Sequence, residues 1–212
     1  MTGEGQVLVL AGATGQLGGA LARQVLAAGG KVAAAVRRPW QVPRLQEQLG
    51  RDRVLVGVVA PQDAEAAAGF AKGAQDALGP ATLFVGAAGM FRPRVAGREP
   101  AGDLAELLEA NLLANATLAR AMLPFFRRRG RGAMGFVGAG PLALVAGSST
   151  FAASKLALHG LVEGLAADLA GSGIRVGAWR PNARPAPAPL AVTLLERLTA
   201  TTAPGDLLPL VD

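Results

Sequence analysis

Short apolar runs of strand length alternate with helix-length segments along the whole chain, and that alternation leaves few folds open. The strand-like runs fall at residues 6–11, 31–36, 53–59, 82–87, 134–137 and 174–179, with a short closing run at 207–211. The spacing between them predicts helices at 15–28, 43–49, 64–78, 104–128 and 150–169, and a last one at 190–200. Pro124 is expected to kink or break the 104–128 helix. Residues 181–189, rich in proline and alanine, are expected to form an irregular loop. Strands separated by helices pair in parallel, so the expected fold is α/β: a doubly wound parallel sheet in three α/β/α layers. The 212 residues suit a single domain, with no linker or repeat dividing them.

In such a sheet, ligands bind beyond the carboxyl ends of the strands. There the sequence reads Gly12-Ala13-Thr14-Gly15-Gln16-Leu17-Gly18, directly after the first strand and opening a helix. Glycines let a backbone turn tightly and approach a pyrophosphate, whose charge is favoured at a helix N-terminus. Gly12, Thr14, Gly15, Gln16, Leu17 and Gly18 are therefore the candidate cradle of a Rossmann-like dinucleotide site. A tight structural turn is the plainer reading. The second strand ends in Arg37-Arg38, and no acid occurs between Glu4 and Glu47. Two guanidiniums there suit a ribose 2′-phosphate, where an NAD site would place a carboxylate. NADP(H) is expected over NAD(H), unless both arginines are only solvated turn residues.

Composition narrows the alternatives. No apolar run reaches the roughly 18 residues of a membrane span. The absence of cysteine removes disulfides and thiolate chemistry. No leader is read ahead of the first strand, and a cytoplasmic location is expected. The net charge of +6 raises nucleic-acid binding, but no aromatic platform or recognition motif accompanies it. The densest basic run, Arg127-Arg128-Arg129-Gly130-Arg131, reads as a helix C-terminus favoured by the macrodipole. Asp103, Glu106 and Glu109 fit a helix start and a solvated face. Without cysteine or histidine partners they argue no metal site. His159, the single histidine, reads as a packing residue, with a replacement acid as the sharper alternative.

Phe151-Ala152-Ala153-Ser154-Lys155 resembles the Tyr-x-x-x-Lys motif of the short-chain dehydrogenase/reductase family, with Phe151 in the tyrosine position. Gly86-Ala87-Ala88-Gly89 is similar to the family's Asn-Ala-Gly element, and Glu109-Ala110-Asn111-Leu112 to the segment carrying its asparagine. Arg180-Pro181-Asn182 is similar to its Pro-Gly turn. The G-x-x-G-x-x-G spacing looks more like the extended branch of the superfamily. The resemblance implies that Ala88, Gly89, Lys155 and Pro181 join the cofactor site, with Lys155 on the nicotinamide ribose. It implies that Asn111 positions a water in a relay to Lys155, the plainer reading being a helix asparagine bonded to nearby backbone.

Several family groups are replaced. Phe151 has no phenolic proton, and Gly138 and Ala139 stand where a serine would orient the carbonyl. Val58 replaces an adenine-side aspartate, and the substrate lid (about 183–204) is short. Ser149 or Thr150 is expected to cap the following helix or, less simply, to lend a hydroxyl. The expected function is an NADP(H)-binding oxidoreductase impaired in carbonyl reduction, its small-molecule substrate unassigned. The alternative is a non-catalytic redox sensor or partner subunit, and a homodimer or homotetramer is implied in either case.

Overall fold

The computed structural model describes residues 5–140, 147–180 and 187–199. Within them the chain runs β1 (Val7–Ala11), α1 (Gln16–Ala27), β2 (Lys31–Val36), α2 (Gln41–Leu49), β3 (Val54–Val58), α3 (Ala64–Leu78) and β4 (Leu83–Gly86). It continues through α4 (Asp103–Leu108), a π-helical turn (Glu109–Leu113), α5 (Ala114–Arg129), β5 (Gly132–Val137), α6 (Ser149–Asp168), β6 (Ile174–Trp179) and α7 (Pro187–Thr199). The six strands are all parallel, in the order β3-β2-β1-β4-β5-β6. The chain winds outward from β1 to β3, then returns to place β4 against the other side of β1. That reversal opens a crevice at the carboxyl ends of β1 and β4.

Both sheet faces are buried, which is why the strands read as unbroken apolar runs. Val7, Val9, Phe84, Met134, Phe136 and Val176 pack on one face against α3, α5 and α6. Leu8, Leu10, Val32 and Val85 pack on the other against α1, α2 and α7. Phe84 and Phe136 meet edge to face, 5.6 Å between centroids, at the centre of the first layer. Asp63 starts α3 by accepting the Ala66 N–H at 2.8 Å.

Three expectations are corrected. Helix α5 runs through Pro124 to Arg129 without a break. The expected 104–128 helix instead carries a π turn at Glu109–Leu113. Helix α7 begins at Pro187, so the end of the proline-rich stretch is helical; proline tolerates a first helical turn, where its missing N–H would have no partner. The closing strand expected at 207–211 lies outside the described residues.

Parallel winding also gathers helix C-termini at the amino end of the sheet, and cations meet them there. Lys31 donates to Leu78 O at 2.9 Å, and Arg53 to Leu26 O at 3.1 Å and Gly30 O at 3.0 Å. Arg129 donates to Ala81 O and Arg175 to Leu198 O. Leu26, Leu78 and Leu198 close α1, α3 and α7. Part of the chain's basicity is thus spent on helix ends.

Candidate functional site

The crevice is lined by Gly12, Thr14 and Gly15 from the first turn, Arg37 and Gln41 after β2, and Val59 after β3. Ala88, Gly89 and Met90 line it after β4. The turn is tight because its glycines permit it. Gly12 has φ +86, and a Cβ there would sit 2.5 Å from the Ala87 carbonyl carbon. A Cβ on Gly18 would lie 2.1 Å from Gly12 O. Gly15 donates to Gly12 O at 3.0 Å and leads in extended conformation into α1. The first turn of α1 contains no acid, so its partnerless N–H groups face the crevice end without a competing charge. Gln16 is exposed where α1 opens, Leu17 packs toward the α1-side core, and buried Gly18 forms the turn–helix contact. None of those three lines the crevice itself.

Arg37 lines the crevice and Arg38 does not. The Arg38 N–H instead accepts a role in starting α2, donating to Gln41 Oε1 at 2.9 Å. Among the described residues no carboxylate pairs with either guanidinium. Trp40, 62% exposed, stands beside the crevice over a shallow depression shared with Thr14, Gln41 and Arg44. Val58 points to solvent while Val59 lines the wall. Pro181 lies outside the described residues.

Lys155 is buried on α6 and donates to Val137 O at 2.9 Å. Burial pushes its ammonium down to about 8. Gly89 leaves it room, since a Cβ there would sit 3.2 Å from Lys155 Nζ and 2.9 Å from Asn111 Oδ1. The π turn carries Asn111, which is fully buried. Its Oδ1 accepts the Met90 N–H at 2.7 Å, and its Nδ2 donates to Met90 O at 3.0 Å and Ser154 Oγ at 2.8 Å. Asn111 therefore ties the Met90 backbone after β4 to Ser154 on α6.

Sequence reasoning missed Asn115 and Gln41. Asn115 Oδ1 accepts the Ala88 N–H at 3.1 Å, and its Nδ2 donates to Ala88 O at 3.0 Å and Asn111 O at 2.9 Å. The available signal was its spacing, one turn beyond Asn111. A Cβ on Gly86 would sit 2.9 Å from Asn115 Oδ1, so α5 supplies an amide where the end of β4 has none.

At Phe151 and Gly138, the positions that the resemblance gives to the carbonyl site, aromatic rings fill the space. The Phe151 ring meets Phe91 edge-on, 4.8 Å between centroids and 86° between planes. Beneath the end of β5, the His159 imidazole fills the space a side chain at 138 would need. A Cβ on Gly138 would lie 2.2 Å from His159 Nε2. That nitrogen accepts the Ala139 N–H at 3.3 Å, leaving buried Nδ1 to carry the proton with no partner among the described residues. Burial lowers the imidazole's affinity for a second proton, as do Arg180 and Lys155, against a smaller opposing effect of Glu163.

Neither Ser149 nor Thr150 caps α6; Ser148 occupies the cap position. The Ser149 hydroxyl lies 3.5 Å from Glu99, and the Thr150 hydroxyl donates to Asp103 Oδ2 at 3.4 Å. Asp103 is not solvated as expected. It is 2% exposed and bonded by Arg92 at 2.9 Å, which also reaches Glu106 at 2.9 Å. These carboxylates raise the Arg92 pKa, Asp103 foremost. Among the described residues no group of three or more histidine, aspartate or glutamate side chains is placed to hold a metal. No described helix is long and apolar enough to cross a membrane.

A parallel sheet in this order, with a glycine-lined crevice at its switch point, defines a dinucleotide-binding Rossmann-type α/β protein. A model of the short chain dehydrogenase family matches residues 6–186, and the chain belongs to that family. A short chain dehydrogenase of Pseudocercospora fijiensis is 29% identical over 187 residues, covering 84% of this chain and 60% of that protein. An oxidoreductase of Botryotinia fuckeliana is 25% identical over 178 residues, covering 84% and 65%. The chain thus spans less than two thirds of the length of these relatives. Among solved structures, a short-chain dehydrogenase from Streptomyces avermitilis superposes with a TM-score of 0.83 at 26% identity, covering 95% of this chain and 87% of the other. Serine dehydrogenase from Escherichia coli gives 0.82 at 21% identity over 92% of each chain, a likeness of fold. The family binds nicotinamide dinucleotides, and the residues present fit one. The turn is compact, the first turn of α1 is free of acid, and Gly89 clears the approach to Lys155.

Proposed function

We propose that this chain holds NADP(H) in its crevice but has lost efficient carbonyl reduction, and that it acts as a redox sensor or as the partner subunit of an active homologue. The observation that carries this reading is the closed carbonyl wall: Phe91 on Phe151, and His159 in the space beside Gly138. A positioned general acid contributes about 10²–10⁴-fold, and oxyanion donors a similar factor. The glycine turn and the start of α1 would hold the pyrophosphate, Arg37 in the crevice, with exposed Arg38 next to it, the 2′-phosphate, and Lys155 the ribose hydroxyls. The bound nicotinamide supplies or accepts a hydride. Residues of this chain orient it, and neither Phe151 nor Gly138 offers a proton to a carbonyl.

The short span between the end of β6 at Trp179 and the start of α7 at Pro187 supports a reduced substrate cover, which would leave the site wet. A homodimer or homotetramer is supported by α6, whose Leu156 is 51% exposed on a helix apolar nearly all round.

A second reading rests on Lys155. Its buried amine is kept although Phe151 leaves it no phenol to act on, which supports an oxidoreductase acting on a flavin- or quinone-like acceptor that needs no phenolic acid. One experiment separates the readings. Titration with NADPH and NADH is followed by thermal shift, then turnover is measured on carbonyl and quinone panels. NADPH at 100 times its dissociation constant should stabilise the fold by about 2.7 kcal/mol. Arg37→Ala should erase the preference for NADPH over NADH. Binding without turnover supports the sensor and quinone turnover the second reading, while no shift with either nucleotide overturns both.

A further inference from the structure

The depression beside the crevice, about 250 Å³, is walled by Thr14, Trp40, Gln41, Arg44, Leu45 and Gln48. All six stand within continuously described stretches of chain. Gln41, Arg44, Leu45 and Gln48 recur at helical spacing, so they share one flank of α2. Leu45 is 2% exposed and roots that flank in the core. The other three are polar, and they border a concave surface.

Thr14 and Gln41 line the depression and the crevice alike, so the two spaces share a rim. Arg37 stands on the crevice side of that rim and Arg44 on the other. Gln41 Oε1 accepts the Arg38 N–H at 2.9 Å, which fixes the amide and leaves its Nε2 as a donor. Glu47 follows Arg44 by one helical turn, where a partner would ordinarily stand, yet the two form no ion pair. No hydrogen bond among the described residues engages the Arg44 guanidinium, and no carboxylate lines either space.

An anion at the rim would therefore meet guanidiniums from two sides, with a hydroxyl and an amide N–H between them. Guanidinium forks match the paired oxygens of a phosphate. We propose that Arg44 is a specificity-determining residue, closing with Arg37 on the ribose 2′-phosphate from opposite sides of the Thr14–Gln41 rim. This rests on the reading that the crevice holds NADP(H). It adds that nucleotide choice is made partly from α2, well past the end of β2, by a side chain that touches nothing an unphosphorylated ribose offers.

The test is calorimetric titration of the full chain with two pairs of ligands that differ only in the 2′-phosphate. They are NADPH against NADH, and adenosine 2′,5′-bisphosphate against adenosine 5′-monophosphate. Arg44→Ala should weaken NADPH and the bisphosphate by at least about tenfold. NADH and the monophosphate should stay within about twofold of the parent. Arg51→Ala removes the same charge just past α2 but outside the depression, and should leave all four unchanged. Retained preference for the phosphorylated ligands in Arg44→Ala overturns the proposal while the crevice reading stands. An equal loss on both members of a pair overturns it too, as a general disturbance of the site, and so does an equal loss in Arg51→Ala. Failure of all four ligands to bind the parent overturns the crevice reading, and this inference with it.

Discussion

Replacing Gly138 with serine restores, on paper, one of the hydroxyls missing from the carbonyl wall, and the structure says it will damage the protein first. The new Cβ would lie 2.2 Å from His159 Nε2, 2.9 Å from its Cδ2 and 3.3 Å from Arg180 Cγ. Unstrained contacts between such atoms lie near 3.5 Å, so the imidazole must move by about an ångström. It is 7% exposed and wedged between α6 and the end of β5, with little room to do so. Overpacking of this kind typically costs about 1–3 kcal/mol. Moving the ring also breaks the part-buried Ala139 N–H bond, which adds about 1–2 kcal/mol. A loss of roughly 2–5 kcal/mol is expected, or about 4–20 °C in Tm for a chain of this size. Urea denaturation of Gly138→Ser, His159→Ala and the double variant measures it. The double variant should be more stable than the sum of the singles predicts, with a coupling of about 1–3 kcal/mol. Additive effects, or a Gly138→Ser protein as stable as the parent, would refute the steric argument.

Phe151→Tyr alone should leave carbonyl reduction at background, because Gly138 and His159 still deny the carbonyl its second donor; substantial NADPH oxidation with a carbonyl panel would show otherwise. Lys155→Met should abolish the stabilisation by NADPH. It should also change the pH dependence of the apo protein, because an amine depressed from 10.5 to about 8 is a burial penalty fully present below pH 8 and relieved as pH rises toward 10.5. The parent should gain roughly 2–3 kcal/mol on the variant between pH 7 and pH 10, read by urea denaturation at each pH. Asn115→Leu should destabilise by at least about 3 kcal/mol, because Ala88 N–H, Ala88 O and Asn111 O all lose a partner. NADPH affinity should fall with it.

The strands were legible because a sheet buried on both faces has one signature, an apolar run bounded by turns. The runs 31–36 and 174–179 coincide with β2 and β6. The glycine turn was legible because no other residue fits where Gly12 and Gly18 sit. What escaped were properties of contact rather than of sequence period. A π turn adds one residue to a helix without altering its composition, so the rotation that brings Asn111 inward leaves no local mark. Asp103 looks like any acid at a helix start until Arg92 arrives from the β4–α4 connection to bury it. His159 reads as a packing residue, and it is buried beside Gly138. That it packs into the space at position 138 depends on a contact across twenty-one positions of chain. The basic residues at the amino end of the sheet likewise look scattered in sequence, and only the parallel winding collects them at the helix ends.

The same loss of a phenol has an optical consequence. The chain has no tyrosine and two tryptophans, so its ultraviolet emission comes from Trp40 and Trp179 alone. Trp179 is 8% exposed in the core beneath α7, and Trp40 is 62% exposed beside the crevice. A reduced nicotinamide ring absorbs where indole emits. Nucleotide docking should therefore quench the emission, that of Trp179 included, because Trp179 pairs with Val137, whose carbonyl holds Lys155. One unlabelled sample thus reports occupancy by the loss of intensity and unfolding by the red shift of the buried Trp179.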